Sequence, residues 1–278
     1  MKITFLSDNI TENADCLAEW GLSVYIQSGG RKILFDMGAS PMFAENAGKL
    51  GVDLSEVDFA VISHGHYDHT GGMDRFLDLN DSAPVYIHRN ALQEFYGTDE
   101  NGNMDDYNCG VLWDKDLLER AKTRLVFTDH VTEIDGDISL IGDIAPLPEF
   151  PVTEQFYIPE NPQKSSFRKD PMDHEQIMVI REGEGLHVFS GCSHTGIMAI
   201  IKKVEEEYPG ERIVSITAGM HLYALPSDKI RLVVDSIAGS GVRYVLPVHC
   251  TGMEAILMFR ERMGKGCVIA SAGETYEF

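Results

Sequence analysis

The chain contains, directly after a short apolar run, the stretch Ser63-His64-Gly65-His66-Tyr67-Asp68-His69-Thr70-Gly71-Gly72. His64 and His66 are two residues apart, so on extended backbone their side chains point the same way and can bind one ion. Asp68 and His69 follow, where a turning loop can direct them at a second ion. Imidazole suits zinc, iron and nickel, whereas a carboxylate tolerates harder ions. The stretch therefore predicts a transition-metal site, and a histidine-rich surface turn is the alternative interpretation.

The residues before this stretch predict that it lies at the end of a buried strand. Strands at residues 22–27 and 31–36 flank a glycine turn and predict a hairpin. A helix should begin near Pro41, which suits a first helical position. Residues 59–62 then form an apolar run of the buried-strand type, and His64 comes just after it. A rigid sheet can hold metal ligands in the loops that follow its strands.

The second half of the chain predicts an alternation of strands and helices. The predicted strands are residues 176–180, 186–189, 212–216 and 243–246. Two helices are indicated by apolar residues at helical spacing, which are Ile197, Ile200, Ile201 and Val204 in one and Ile230, Val233, Val234 and Ile237 in the other. Three further histidines, His194, His221 and His249, follow predicted strand ends. The pattern predicts an α/β fold with histidines gathered near strand ends.

The middle of the chain, about residues 91–173, is less regular and rich in Gly, Pro, Asp and Asn. Such a segment is either a lid over the active site or a surface insertion without a role. Lys164, Arg168 and Lys169 form a small basic island in it, which could receive a phosphate, although solvated surface is the favoured interpretation. Three other histidines are expected to be structural or solvent-facing: His88, His130 and His187.

The charge of the chain argues against a polyanionic partner. It has 44 acidic residues against 23 Lys and Arg, a formal net charge of −21, whereas nucleic-acid binding depends on cationic side chains. A small anionic substrate remains compatible with a bound metal. No apolar run is long enough to span a bilayer, and the N-terminal one is too short for a signal peptide. The five cysteines are scattered and odd in number, which favours reduced thiols and a cytoplasmic location.

The histidine stretch matches the HxHxDH motif of the metallo-β-lactamase superfamily, and Asp36-Met37-Gly38 sits where that family has Asp-x-Gly. Three later motifs resemble one branch, the dihydropterin-6-methyl-4-(β-D-ribofuranosyl)aminobenzene-5′-phosphate synthases. They are Gly191-Cys192-Ser193-His194, Gly219-Met220-His221-Leu222 and Pro247-Val248-His249-Cys250-Thr251-Gly252. The resemblance implies one domain over residues 1–278. It also implies an αβ/βα four-layer sandwich, with two mixed sheets, outer helices and a metal cleft at one edge.

The resemblance also implies a set of metal ligands. His64 and His66 with His194 would hold a first ion, and Asp68 and His69 with His249 a second. The implied cofactors are one or two divalent transition-metal ions, with zinc as first choice and iron or manganese as alternatives. Two such ions would activate water as the nucleophile. Asp36 would orient a ligand histidine rather than touch metal, and an Asp that closes a turn is the equal alternative.

One position departs from the family pattern. Cys192 stands where many members have a bridging Asp, so it is either a soft bridging ligand or an inert packed thiol. His194 is preferred as the metal ligand, and His174 is either a substitute for it or a residue that faces the substrate. His221 could polarise a substrate oxygen or donate a proton, with a structural histidine as the alternative. Asp68 and His221 are the predicted catalytic residues.

These features predict a metal-dependent hydrolase that uses metal-activated water on a small phosphate-bearing or ester-like molecule. A synthase-like transferase of the branch described above is the first alternative. A metal-binding sensor without turnover is the second, and a nuclease is disfavoured by the charge. The expected partner is a small molecule, without nucleic acid or membrane.

Overall fold

A computed structural model describes residues 1–99, 101–150, 152 and 155–278. Its strands are β1 (Lys2–Ser7), β2 (Ser23–Ser28), β3 (Arg31–Phe35), β4 (Phe59–Val61), β5 (Val85–His88), β6 (Leu125–Thr128), β7 (Val131–Asp135), β8 (Ile138–Ile141), β9 (Tyr157–Pro159), β10 (Phe167–Lys169), β11 (Ile177–Glu182), β12 (Gly185–Ser190), β13 (Ile213–Ala218), β14 (Tyr244–Pro247) and β15 (Thr275–Glu277). Its α-helices are α1 (Met42–Lys49), α2 (Tyr67–Thr70), α3 (Met73–Leu79), α4 (Lys115–Ala121), α5 (Ile197–Glu207), α6 (Ser227–Gly239) and α7 (Met253–Met263).

The strands form two large mixed sheets. The first has the order β15-β1-β2-β3-β4-β5-β6, antiparallel from β15 to β3 and parallel from β3 to β6. The second has the order β14-β13-β12-β11-β8-β7, in which β12, β13 and β14 are parallel. Strands β9 and β10 pair separately as a hairpin. Because β12, β13 and β14 are parallel, the loops after them lie at the same edge of the second sheet.

Three apolar clusters define the layers. The central cluster joins residues of the first sheet, such as Phe5 and Phe35, to residues of the second, such as Phe189, so the two sheets face each other. A second cluster packs α1 and α3 on the outer face of the first sheet, and a third packs α5, α6 and α7 on the second. The predicted αβ/βα four-layer sandwich is confirmed. Truncation of one such buried Phe to Ala would destabilise the fold by about 3–5 kcal/mol.

Most of the predicted regular elements are present. The hairpin is β2 and β3, and the two amphipathic helices are α5 and α6, whose apolar stripes are buried against the second sheet. The expectation that residues 91–173 are irregular was wrong for much of that segment. It contains α4 and strands β6 to β10, and β6, β7 and β8 extend the two sheets. Strands β6 and β7 are mostly half-buried or exposed at sheet edges. The sequence of β7 lacks the apolar pattern of a buried strand, whereas the short apolar run of β6 was not recognised as a strand.

Several residues near the strand ends have left-handed backbone conformations. Asp36, Ser193, His221 and His249 have φ values of 59°, 54°, 49° and 51°. Non-glycine residues rarely adopt this conformation, and it clusters at functional sites where packing enforces it. The sharp turns direct these side chains to the edge where the loops after β3, β12, β13 and β14 meet.

None of the helices in the described part of the chain has both the length and the apolar character needed to cross a membrane.

Candidate metal centre

Three histidines from two loops converge at this edge. His64 and His66 follow β4, and His194 follows β12. Their ring centroids are 4.6 Å apart for His64 and His66, 4.8 Å for His66 and His194, and 4.9 Å for His64 and His194. We refer to these residues as the three-histidine group. All three Nε2 atoms are buried, and they have no hydrogen-bond partner among the described residues. Buried polar atoms without partners are rare and call for an explanation, which a bound cation supplies.

Hydrogen bonds fix the tautomer of His64. The Ser63 hydroxyl donates to Asp36 Oδ2 over 2.7 Å, so it accepts from His64 Nδ1, which is 2.9 Å away. The proton of the neutral ring is then on Nδ1, and the Nε2 lone pair faces the group. This is the arrangement by which proteins usually prepare a histidine for a metal ion.

A second set of ligand-type side chains lies beside the first. Single ligand atoms of Asp68, His69, Cys192 and His249 lie within 4.8 Å of one another. We refer to these four residues as the mixed group. Cys192 Sγ also lies within 4.8 Å of a ring nitrogen of both His64 and His194. Cys192 is therefore between the two groups, at the position predicted for either a bridging ligand or a packed thiol.

The atoms of the mixed group already contact one another. Asp36 Oδ2 accepts a hydrogen bond from His69 Nδ1 over 2.7 Å, which leaves His69 Nε2 to accept from the Cys192 thiol, 3.1 Å away. His249 Nε2 lies 3.3 Å from Asp68 Oδ2. Asp36 thus contacts a histidine of the group and Ser63, rather than lying within either group.

Two residues that the sequence analysis missed hold His249. Asn9 Oδ1 accepts from His249 Nδ1 over 2.8 Å, and Asp8 Oδ1 accepts from the His249 backbone N–H over 2.7 Å. Both follow β1, a strand that was also missed, and they are more than 200 residues away in sequence. Burial raises the pKa of Asp8 to about 6, although His249 opposes the shift.

His174 and His221 occupy different places relative to the three-histidine group. His174 Nδ1 accepts from the Gly65 N–H over 3.0 Å, and His174 Nε2 donates to Asp170 Oδ2 over 3.1 Å. Both ring nitrogens of His174 therefore have protein partners, so the ring has no nitrogen left for an ion or a substrate. His221 lies beside His194, with 4.4 Å between ring centroids, and lines the pocket over the two groups.

Burial and mutual repulsion keep the three-histidine group neutral. Burial is the main cause that lowers the pKa values of His64, His66 and His194, and the neighbouring histidines lower them further. Burial likewise lowers the pKa of His221 to about 3. Burial alone would raise the pKa of Asp68, but His69 and His249 outweigh it and lower the value. At neutral pH the three-histidine group therefore offers uncharged imidazoles, and Asp68 offers a carboxylate.

A pocket of about 190 Å³ lies over both groups, and aromatic side chains form much of its wall. They are Trp20, Tyr67, Tyr107, Phe156 and Tyr223. A larger cavity of about 560 Å³ adjoins it across Tyr107, Cys109 and Phe156, and presents Thr98, Asp105 and Gln155. Residues of the 91–173 segment thus line both cavities. No Lys or Arg side chain is among the described residues that line them.

The basic island and the remaining histidines lie elsewhere. Lys164 contacts Glu94 and the Tyr96 hydroxyl, and Arg168 and Lys169 are exposed on β10. His187 is buried and hydrogen-bonded to Ser215, and His130 is exposed beside Asp143. His88 is buried near Asp129 and Asp143, but its Nδ1 accepts from the Asn90 N–H over 3.3 Å. A neutral His88 ring therefore has its proton on Nε2, which does not suit a metal ligand.

Comparisons with known proteins agree with the fold. Residues 21–162 match the model of the metallo-beta-lactamase superfamily. The crystal structure of Tm1679, a metal-dependent hydrolase of the beta-lactamase superfamily, is 33% identical, with a TM-score of 0.84 over 100% of this chain and 99% of that one. The chain belongs to the metallo-β-lactamase superfamily.

Two further comparisons concern the branch and the fold. The 7,8-dihydropterin-6-methyl-4-(beta-D-ribofuranosyl)-aminobenzene-5'-phosphate synthase of Methanocaldococcus jannaschii is 25% identical, over 99% of this chain and 95% of the relative. The predicted resemblance to that branch is confirmed. Zn²⁺-bound PqqB from Methylobacterium extorquens is 11% identical with a TM-score of 0.58, over the full length of both chains, and shares the fold.

Proposed function

We propose that this protein is a metal-dependent enzyme of the hydrolase type that acts on a small phosphate-bearing or ester-like molecule. The observation that carries the proposal is a set of three histidine rings with centroids 4.6 to 4.9 Å apart, each with a buried, unpartnered Nε2, beneath a pocket that is open to a substrate. A purely structural cluster would gain stability by pairing such atoms, because each unpaired buried polar atom costs about 1–3 kcal/mol. A cation accounts for all three atoms at once.

In this proposal each group holds one ion. The three-histidine group supplies neutral nitrogen ligands, and the mixed group adds the Asp68 carboxylate and the Cys192 sulfur. Nitrogen and sulfur ligands favour zinc, which is our first choice, with iron and manganese as alternatives. When bound, the ions would act as Lewis acids and lower the pKa of water toward neutrality. Asp36 and Asn9 would orient His69 and His249 through their Nδ1 atoms.

The protonation states of His221 and Asp68 determine which proton transfers these two residues can perform. His221 is neutral at pH 7 because its pKa is about 3, so it would serve as a neutral hydrogen-bond donor to a substrate oxygen rather than as an imidazolium acid. Asp68 is ionised, since the adjacent histidines lower its pKa. A carboxylate there could bind an ion and accept a proton from a group that enters the pocket.

The shape of the pocket favours a substrate that contains a planar ring. Trp20 and Tyr223 lie edge to face, 5.6 Å apart, and Phe156 lies 4.4 Å from the His66 ring. With no cationic side chain among the described lining residues, a phosphate would have to be neutralised by the ions. These walls favour the synthase-like transferase as second candidate, since the name of the archaeal relative includes a dihydropterin and an aminobenzene, both of which are ring systems.

Metal content and product analysis test this proposal together. Purified protein should contain near-stoichiometric transition metal, and His66→Ala should remove both metal and activity. Hydrolysis should incorporate ¹⁸O from labelled water into the product, whereas the synthase reaction should give a condensed product and release diphosphate. Undiminished turnover by metal-free protein would refute the enzyme proposal. Metal binding without turnover on either substrate class would favour the sensor alternative.

We also propose one domain, a small-molecule partner and a cytoplasmic location. Strands from both halves of the chain share the central apolar cluster, which supports one domain. All five cysteines are buried, and none is paired in a disulfide, which supports a reducing compartment. The charge of −21 and the absence of basic residues from the described pocket walls speak against nucleic acid.

A further inference from the structure

A short segment just before β11, residues 174–176, contacts both loops that carry the three-histidine group. On one side it holds the loop after β4. The Gly65 N–H donates to His174 Nδ1 over 3.0 Å, the Gln176 N–H donates to Ser63 O over 2.8 Å, and Gln176 Nε2 donates to Ile62 O over 2.7 Å. These bonds fix the peptide units around His64 and His66.

On its other side the segment holds the loop after β12. The Glu175 carboxylate is 1% exposed and accepts three hydrogen bonds from this loop. They come from the His194 N–H over 2.6 Å, the Thr195 N–H over 2.9 Å and the Thr195 hydroxyl over 2.6 Å. A buried carboxylate is stabilised by such charge-assisted bonds, and the geometry of the loop is constrained in return.

The His174 ring is itself held in place. Its Nε2 donates to the buried Asp170 carboxylate, and its face stacks on Phe95 with 4.1 Å between ring centroids. Gly65 is equally restricted on its far side, because a Cβ there would lie 2.1 Å from Ala91 O. The peptide between the first two histidines is therefore fixed from two directions.

We propose that His174 and Glu175 are positioning residues that set the spacing between His194 and the His64–His66 pair and so raise the affinity for the first ion. This inference rests on the proposed metal site. His174 accepts a hydrogen bond from the loop after β4, and the adjacent Glu175 accepts from the loop after β12. Because the two acceptors are neighbours in the chain, movement of one loop is transmitted to the other. Groups that orient metal ligands commonly contribute a factor of 10–100 in metal affinity.

Four variants and one control test this role. Glu175→Gln puts an N–H donor against the donors of the His194 loop, while Glu175→Asp keeps the charge but shortens the reach. His174→Ala removes the acceptor for Gly65, and His174→Asn restores one near the same place. Glu182→Gln is the matched control, since Glu182 lies at the far end of β11 and bonds Ser28 and the N-terminus instead.

The readouts are the zinc dissociation constant, from competition with a chromophoric chelator, and amide hydrogen exchange in metal-free protein. We expect three variants to weaken binding of the first zinc ion by about 10–100-fold: Glu175→Gln, Glu175→Asp and His174→Ala. His174→Asn should recover most of the loss, and Glu182→Gln should match wild type. In the metal-free Glu175 variants, the His194 and Thr195 amides should exchange faster than in wild type.

Three results would overturn the inference, and each differs from a failure of the proposed function. Wild-type zinc affinity in both Glu175 variants and in His174→Ala would show that the segment does not position the ligands. Weak binding in Glu175→Gln with wild-type binding in Glu175→Asp would assign the effect to charge alone. If wild type itself bound no transition metal, the proposed function would fail, and unchanged exchange at His194 and Thr195 would then refute the positioning role separately.

Discussion

The three-histidine group and the mixed group lie side by side, yet they are prepared for an ion in different ways. His64, His66 and His194 are neutral, and their buried Nε2 atoms lack partners among the described residues. In the mixed group, His69 accepts from the Cys192 thiol and His249 lies against Asp68. An ion entering the three-histidine group breaks no hydrogen bond of the Nε2 atoms. An ion entering the mixed group must displace protons and break the hydrogen bond between His69 and Cys192, although His249 Nε2 also has no hydrogen-bond partner among the described residues.

This difference has a consequence for the order of binding. Burial lowers the pKa of His249, but Cys250 and Asp68 outweigh it and raise the value to about 9, and burial raises the pKa of the Cys192 thiol. Metal ligands bind in their deprotonated forms, so filling the mixed group releases protons. We expect the three-histidine group to fill first and with little pH dependence above pH 7. The mixed group should fill second, more tightly as the pH rises.

The largest expected effect comes from removing a ligand of the three-histidine group. His66→Ala should reduce activity by at least about 10³-fold, because metal activation contributes several kcal/mol to the barrier. Elemental analysis should show loss of the first ion in the same sample. His130→Ala is the matched control, since His130 is exposed and does not line the pocket. Retained metal and activity in His66→Ala would remove the three-histidine group from the account.

A smaller effect should follow substitution in the mixed group. Cys192→Ser should weaken binding of the second ion by about 10–100-fold, which is the effect of other changes around a metal site. The first ion should remain bound. Stepwise zinc titration by calorimetry measures both events. If both ions bound Cys192→Ser as tightly as wild type, Cys192 would be a packed thiol rather than a ligand.

The two groups should also give metal-free protein opposite pH responses. The folded-state pKa values of His64, His66 and His194 lie below the ordinary 6.5, so their contribution to stability is present above pH 6.5 and is lost as the pH falls. The folded-state pKa of His249 is raised, so its contribution is present below pH 6.5 and is lost as the pH rises toward 9.

Urea unfolding of metal-free protein from pH 5 to pH 9 measures this balance. Each histidine can contribute up to about 1.4 kcal/mol per pH unit within its window. The loss on the acid side should shrink in His64→Ala, and the loss on the alkaline side should shrink in His249→Ala. A stability that did not change over this range in any of these proteins would contradict the assigned protonation states.

The smallest effect should come from the pocket wall. Trp20 lies at the mouth, 43% exposed, beside Tyr223 and 5.3 Å from the His249 ring. Trp20→Leu should raise KM by about 3–10-fold, which corresponds to an aromatic contact of about 0.5–1.5 kcal/mol, and leave metal content unchanged. A change in metal content without a change in KM would show that Trp20 supports His249 rather than substrate.

The sequence was informative where local pattern and chemistry coincide. The stretch from His64 to His69 combines ligand-type residues at short spacing with a preceding apolar strand, so both the motif and its place at a strand end could be predicted. Helices α5 and α6 were predictable because their apolar residues repeat at helical spacing over at least two turns. The fold of four layers required the family resemblance, since no local pattern reports how two sheets face each other.

The supporting residues could not be predicted because their roles depend on contacts distant in sequence. Asn9 holds His249 across 240 residues. Glu175 holds the His194 backbone through a hydrogen bond that the sequence around Glu175 and the sequence around His194 do not indicate. For His174, the sequence suggested a role that the long-range contacts do not support. Its position in sequence suggested a ligand, but the fold directs its two nitrogens to Gly65 and Asp170.

In the proposed metal centre, two adjacent groups hold two metal ions, and Cys192 supplies the sulfur ligand. X-ray absorption at the zinc edge, on zinc-loaded wild type and Cys192→Ser, tests this arrangement most directly. We predict two zinc ions per chain, a coordination shell dominated by imidazole nitrogen, and a sulfur contribution at about 2.3 Å that is absent from Cys192→Ser. Less than one zinc ion per chain, or a shell of oxygen alone, would contradict the account.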